Sequence, residues 1–296
     1  MAIWGGGLSD QRETLCKPSG DRRGGAILLR YALHHMSAIT LLTVTDLHSQ
    51  RGLYADLVKA VEDHRPDAIA LVGDFLDILQ GPFPQDLLDP ASCARILARL
   101  PCPEIIFVRG NHEGPNWRPF AEAWRTEGRN MVALHGETRR VGRLHVLGFP
   151  SLMGEETTFL EGRPPLPPRS DDWLPEIMDR VGPAARAVWL MHEPPTGTPL
   201  SAEGSVVGGN AEWRHAIERH APKLVIFGHD HRTPVRTKRW HYRLGTTVCV
   251  NVGQAAGRGL RFCLVKARFA GGTVLPTSLE VKAFPLHESI SIEPGS

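Results

Sequence analysis

Apolar positions along this chain fall into two alternating patterns. Short, nearly unbroken runs rich in Val, Ile and Leu occupy residues 39–45, 68–72, 104–108, 144–149, 187–191, 223–227, 246–250 and 261–266, and each predicts a strand. Between several of them, residues 53–63, 91–100, 116–126 and 210–220 follow helical spacing, the last with Asn210 as its N-cap. This alternation implies a layered α/β fold. The later strands are crowded together and are expected to be antiparallel or mixed.

Two segments break the rhythm. Residues 1–36 carry Gly5-Gly6-Gly7, mixed charges and no periodicity, and read as a weakly ordered N-terminal extension to a domain spanning 37–296. Residues 151–175 contain Pro164-Pro165 and Pro167-Pro168 with little apolar periodicity. They read as a Pro-rich insertion loop, either a lid over a site or a surface excursion.

At 296 residues, 42% hydrophobic and 22% charged, the chain can bury a full core. A net charge of +2 lacks the basic excess of a dedicated nucleic-acid binder. The basic run 232–243, with Trp240 and Tyr242, reads either as a phosphate patch or as an edge hairpin. Five cysteines, Cys16, Cys93, Cys102, Cys249 and Cys263, are widely spaced and form no CxxC pair, which favours free thiols in a reducing compartment. No apolar stretch approaches the about 20 residues of a membrane span. The N-terminus lacks a basic-then-apolar leader, so a cytoplasmic protein with no membrane role is expected.

The chemistry lies just after the apolar runs. Asp46-Leu47-His48, Gly73-Asp74, Gly110-Asn111-His112-Glu113, Met191-His192 and Gly228-His229-Asp230-His231 place carboxylate, imidazole and amide ligands where an α/β sheet delivers its functional loops. Two divalent ions held about 3.5–4 Å apart need a shared carboxylate, with imidazoles and neutral oxygens around it. Asp74 is the natural bridge. Asp46, His48 and His231 would complete one ion, and Asn111, His192 and His229 the other. A water held between two such ions loses a proton near neutral pH and becomes a nucleophile. The ligand set suits Mn, Fe, Zn or Co. Any one of these short motifs is commonplace, and the other histidines, such as His64, His145 and His220, read as structural.

As an ordered set, DxH, GD, GNHE, H and GHDH resembles the calcineurin-like metallophosphoesterase superfamily over about residues 38–268. The resemblance implies an αββα sandwich of two mixed β-sheets flanked by helices, with a dinuclear site at the carboxyl ends of the strands. It also implies that His112 faces the substrate, steadying phosphoryl oxygens or protonating the leaving oxygen, and that Asp77 orients its ring. The phosphoprotein-phosphatase branch carries Asp-Arg-Gly after the bridging carboxylate. Here the segment is Gly73-Asp74-Phe75-Leu76-Asp77-Ile78, which speaks against protein phosphatase activity. The loop His192-Glu193-Pro194-Pro195 resembles small single-domain prokaryotic phosphoesterases, and Asn251-Val252-Gly253 resembles the family's Asn-Pro-Gly closing strand. The expectation is a dinuclear-metal phosphoesterase acting on a small substrate, a phosphodiester by preference. A phosphomonoesterase, a nuclease and a non-catalytic scaffold are the alternatives.

Overall fold

The computed structural model describes residues 38–129, 131–151, 166–167, 169–201, 209–254 and 258–293. The expected N-terminal extension and most of the Pro-rich segment lie outside the described residues.

Two mixed sheets make up the frame. The first, of seven strands, runs in the order β13 (Glu288–Ile292), β12 (Ser278–Phe284), β11 (Phe262–Arg268), β1 (Ala38–Val44), β2 (Ala68–Val72), β3 (Ile105–Val108) and β4 (Met131–Ala133). Its β1 to β4 are parallel, and β11, β12 and β13 add on antiparallel, with Thr43 of β1 opposite Cys263 of β11. The second, of six strands, runs β5 (Glu137–Val141), β6 (Leu144–Phe149), β7 (Val188–Met191), β8 (Leu224–Ile226), β10 (Thr247–Val250) and β9 (His241–Leu244). Its β6, β7, β8 and β10 are parallel, with an antiparallel strand at each edge.

The period of two along each strand sorts side chains into three apolar layers. Leu41, Ala70, Val72, Ile106 and Val108 of the first sheet meet Val146, Leu190, Ile226 and Val250 of the second in one buried core between the sheets. Their strand neighbours Leu42, Leu71, Ile105 and Phe107 point outward and pack under α1 (Arg51–His64), α2 (Pro90–Ala98) and α3 (Trp117–Thr126). On the far side, Leu147, Phe149, Trp189 and Val225 pack under α4 (Leu174–Val181) and α5 (Ala211–His220). Strands buried on both faces are why the sequence shows unbroken apolar runs rather than alternation. The result is the helix–sheet–sheet–helix sandwich that the motif order implies.

The structure adds local detail to these expectations. Residues beyond 266 add β12 and β13 to the first sheet, and Leu279, Val281, Ala283 and Ile292 enter the central core. Within the basic run, Thr233–Thr237 forms a short helix, α6, while His241–Leu244 is the outer strand of a hairpin with β10. The end of the Pro-rich segment is helical: Ser170–Asp172 makes one tight turn and α4 starts at Leu174, with Pro175 in its first turn. Asn210 does cap α5, its Oδ1 accepting the Glu212 and Trp213 N–H groups at 2.8 and 3.4 Å.

Candidate metal centre

The chain turns at the carboxyl ends of β1, β2, β3, β7 and β8 deliver the five motifs to one place. Asp46, His48, Asp74, Asn111 and His112 come from the first sheet, and His192, His229 and His231 from the second. The site therefore lies on the seam between them. Asp46 closes that seam, because both of its carboxylate oxygens accept the backbone N–H of His229 at 3.1 Å. The hydroxyl of Thr45 lies 2.8 Å from Asp46 Oδ2 and fixes the carboxylate from the other side.

Two ligand groups emerge. Asp46, His48, Asp74 and His231 offer ligand atoms within 4.8 Å of one another, and so do Asp74, His192 and His229. Asp74 belongs to both. Asn111 joins the second group, its Oδ1 lying 3.0 Å from His192 Nε2 and 3.0 Å from His229 Nδ1. His48 Nε2 and His231 Nε2 are 3.0 Å apart, and His192 Nε2 is 3.2 Å from Asp74 Oδ2. Ligands about 2.0–2.2 Å from a common ion sit at such separations.

Three further observations fit divalent cations here. Asp46 and Asp74 are buried carboxylates, and among the described residues no lysine or arginine pairs with either. Burial works against both charges, but the imidazoles of His231 and His192 outweigh it and hold both carboxyls below the usual carboxylate range. Conversely, burial disfavours a charged His192, yet Asp74 and Asp46 raise it to about 10. The carboxylates demand positive charge at this spot, which a metal supplies in place of protons. The Nδ1 of His192 faces the carbonyl of Val72 at 3.1 Å, leaving Nε2 as the coordinating nitrogen. Finally, Asp46, His48, Asp74 and His229 adopt left-handed backbone, with φ of 55°, 43°, 50° and 65°. Strain of about 1–3 kcal/mol per residue collects at functional sites.

The backbone leaves little room. A Cβ at Gly110 would collide with Asp74 Oδ1 and the Asp74 backbone nitrogen, and one at Gly73 would strike the His192 ring. These two glycines serve close approach as well as turning.

Other candidates fall into place differently. The His112 ring is 30% exposed at the open side of the cluster, with Nε2 4.0 Å from Asp74 Oδ2 and its backbone N–H donated to Asp74 Oδ1 at 2.9 Å. Asp77 shares a cluster with His48 and His112, within reach of the ring it is expected to orient. His112 Nδ1 has no partner, while Asp77 Oδ1 accepts the Leu79 N–H at 2.9 Å. Asp230 of the GHDH segment holds the turn into α6, its Oδ1 accepting the Arg232 and Thr233 N–H groups at 3.1 and 2.9 Å. Glu113, fully buried, clamps two ligand loops by accepting the Gly110 N–H at 2.7 Å and the Leu76 N–H at 3.3 Å. Burial and the neighbouring Asp74 push its carboxyl up to about 7.

Sequence reasoning missed Thr45, Ser49 and Asn116. Ser49 Oγ accepts the Asp77 N–H at 3.0 Å, and Asn116 Nδ2 donates to the Asp77 and Leu79 carbonyls at 2.6 Å each. Their only signal is a small polar residue beside a motif. Asn251, noted for its resemblance, ties the second-sheet loop by donating Nδ2 to the carbonyls of Gly228 and Asp230 at 3.2 and 3.1 Å.

No curated protein matches this sequence. Among solved structures, the chain is similar to TT1561 of Thermus thermophilus, with 17% identity over 86% of this chain and 98% of that one, at a TM-score of 0.51. It is also similar to the purple acid phosphatase PPD1 of yellow lupin (Lupinus luteus), with 12% identity over 87% of this chain and 54% of that one, at a TM-score of 0.51. At these identities the likeness is one of fold. The family model described as calcineurin-like phosphoesterase matches residues 39–233, a span that contains all five ligand motifs, and the chain belongs to the calcineurin-like phosphoesterase family.

Proposed function

We propose that this protein is a dinuclear-metal-dependent phosphoester hydrolase of small substrates, with phosphodiesters preferred. The observation that carries the reading is the position of Asp74 in both ligand groups. Asp46, His48, Asp74 and His231 would hold one ion, and Asp74, Asn111, His192 and His229 the other. Two such ions supply Lewis acidity and a water-derived nucleophile at neutral pH.

The chain's own residues do the rest. Thr45 and the His229 N–H fix the orientation of Asp46, and Val72 fixes the tautomer of His192. His112, at the open side of the cluster, would steady the phosphoryl group and protonate the leaving oxygen, with Asp77 nearby to orient its ring. Within the small single-domain phosphoesterases a diester is the preferred substrate, and the comparison of diester with monoester turnover decides between them. The catalytic unit spans residues 37–296. Cys93, Cys102, Cys249 and Cys263 are free and buried, which supports a cytoplasmic setting. Among the described residues no helix is long and apolar enough to cross a membrane.

The test compares hydrolysis of bis-p-nitrophenyl phosphate and p-nitrophenyl phosphate by chelated and Mn²⁺-reloaded protein, with His112→Ala as control. Diester turnover that depends on metal and drops in the variant is expected. Preferential monoester turnover would replace the diester reading, and no turnover of either by fully loaded protein would favour a scaffold.

A further inference from the structure

Among the described residues, few large hydrophobic side chains stand open to solvent. Tyr242 and Val274 do so singly. Ile78 and Leu79, 49% and 47% exposed, do so as a pair. They follow Asp77 directly, so their Cα atoms lie within about 4–8 Å of the Asp77 Cα, and Asp77 clusters with His48 and His112.

The turn that carries them is pinned. Asn116, itself buried, donates to the carbonyls of Asp77 and Leu79 at 2.6 Å each, Asp77 Oδ1 accepts the Leu79 N–H, and Ser49 Oγ accepts the Asp77 N–H. Every one of these bonds fixes backbone and leaves the two aliphatic side chains free. From Asp77 to Asp86 the chain carries no cation, and its two charges are both acidic. Arg51 lies at the far end of that segment, its Nε donating to the Gln85 carbonyl at 3.0 Å and its Nη2 to the Leu87 carbonyl at 3.4 Å, whereas the end beside the cluster, at Asp77, is acidic and repels a phosphate-bearing group. An apolar group that reaches past Asp77 gains burial against Ile78 and Leu79.

We infer that Ile78 and Leu79 form an apolar lip that receives the alkyl or aryl group on the leaving side of the phosphoester. The preferred substrates then carry an uncharged, apolar alcohol as leaving group, rather than a polyphosphate or a phosphorylated sugar. This rests on the proposed function, which places the leaving oxygen at His112.

The experiment is calorimetric binding of methyl-n-alkylphosphinates, alkyl from methyl to hexyl, monoanions that mimic a diester with two C–P bonds that resist hydrolysis, to Mn²⁺-loaded wild type and to Ile78→Ser, Leu79→Ser and the double variant. Because both side chains are half exposed, the variants keep the fold. Wild-type affinity should rise by up to about fourfold per methylene, and the double variant should flatten the series. A flat wild-type series, or an equal slope in the double variant, overturns the lip. Failure of dimethylphosphinate to bind loaded wild type instead overturns the phosphodiesterase reading beneath it.

Discussion

Asp74 and Asp46 are both buried acids at the metal centre, yet their removal should have different consequences. Asp74 serves both ligand groups and Asp46 only one. Metal analysis after dialysis should find Asp74→Asn nearly empty and Asp46→Asn retaining about one ion. His192 carries a proton that Asp74 and Asp46 stabilise. Loading must therefore expel it: Mn²⁺ binding near pH 7.5 should release about one proton, read from the dependence of binding heat on the ionisation enthalpy of the buffer. The sign follows from a folded-state pKa raised above the usual 6.5 for His192. In chelated protein the stabilisation by this proton is complete below 6.5 and is lost as pH rises through about 10. His112→Ala should lower kcat by about 10²–10⁴-fold while Mn²⁺ affinity stays near wild type, because its ring stands at the edge of the ligand set. The residues that cluster at the candidate metal centre were legible in the sequence because each is a distinctive residue type just after an apolar run. Asp77 stands in one cluster with His48 and His112, while its Oδ1 also accepts the Leu79 N–H within its own turn.

Elements announced themselves in proportion to how completely they are buried. All five residues of β2 are buried, and Ala68–Val72 was legible to the residue. By contrast β5 reads Glu-Thr-Arg-Arg-Val with one buried position, β9 has only Leu244 buried, and β4 is three residues long. The edge strands β5 and β9 face solvent and carry charge, so no apolar run marks them, while β4 is apolar but too short to stand out. The strand β12 did carry a signal, since Leu279, Val281 and Ala283 alternate with polar neighbours. Helix starts were legible where a cap side chain stands. Asp89 accepts the Ser92 N–H at 2.9 Å ahead of α2, as Asn210 does ahead of α5. Asn210→Ala should cost about 1 kcal/mol of stability, and urea unfolding of loaded protein should show it as a lower midpoint with unchanged slope. Gly110→Ala should cost about 1–3 kcal/mol by the same measurement, and it should also weaken metal binding, because the new methyl group pushes on Asp74.

At the scale of the whole molecule, the metal site and the sandwich stabilise one another, since the ligands come from both sheets. Chelation should lower the melting temperature and Mn²⁺ should restore it, with the gain growing as the logarithm of free metal, about 2.7 kcal/mol at a hundred times the dissociation constant. The pairing of β1 with β11 carries a different consequence, one for synthesis. Thr43 and Cys263 lie opposite each other across 220 residues of chain. At about 5–20 residues per second of translation, β1 waits on the order of 10–40 s for the neighbour that covers its open edge. For most of that interval an apolar strand with unpaired backbone groups is exposed and the second-sheet ligands are still to be made, since the last of them, His231, comes only about 32 residues before Cys263. The nascent chain is thus most prone to aggregate while it is still unable to take up its metals, and conditions that slow elongation should raise the insoluble fraction even when metal is abundant.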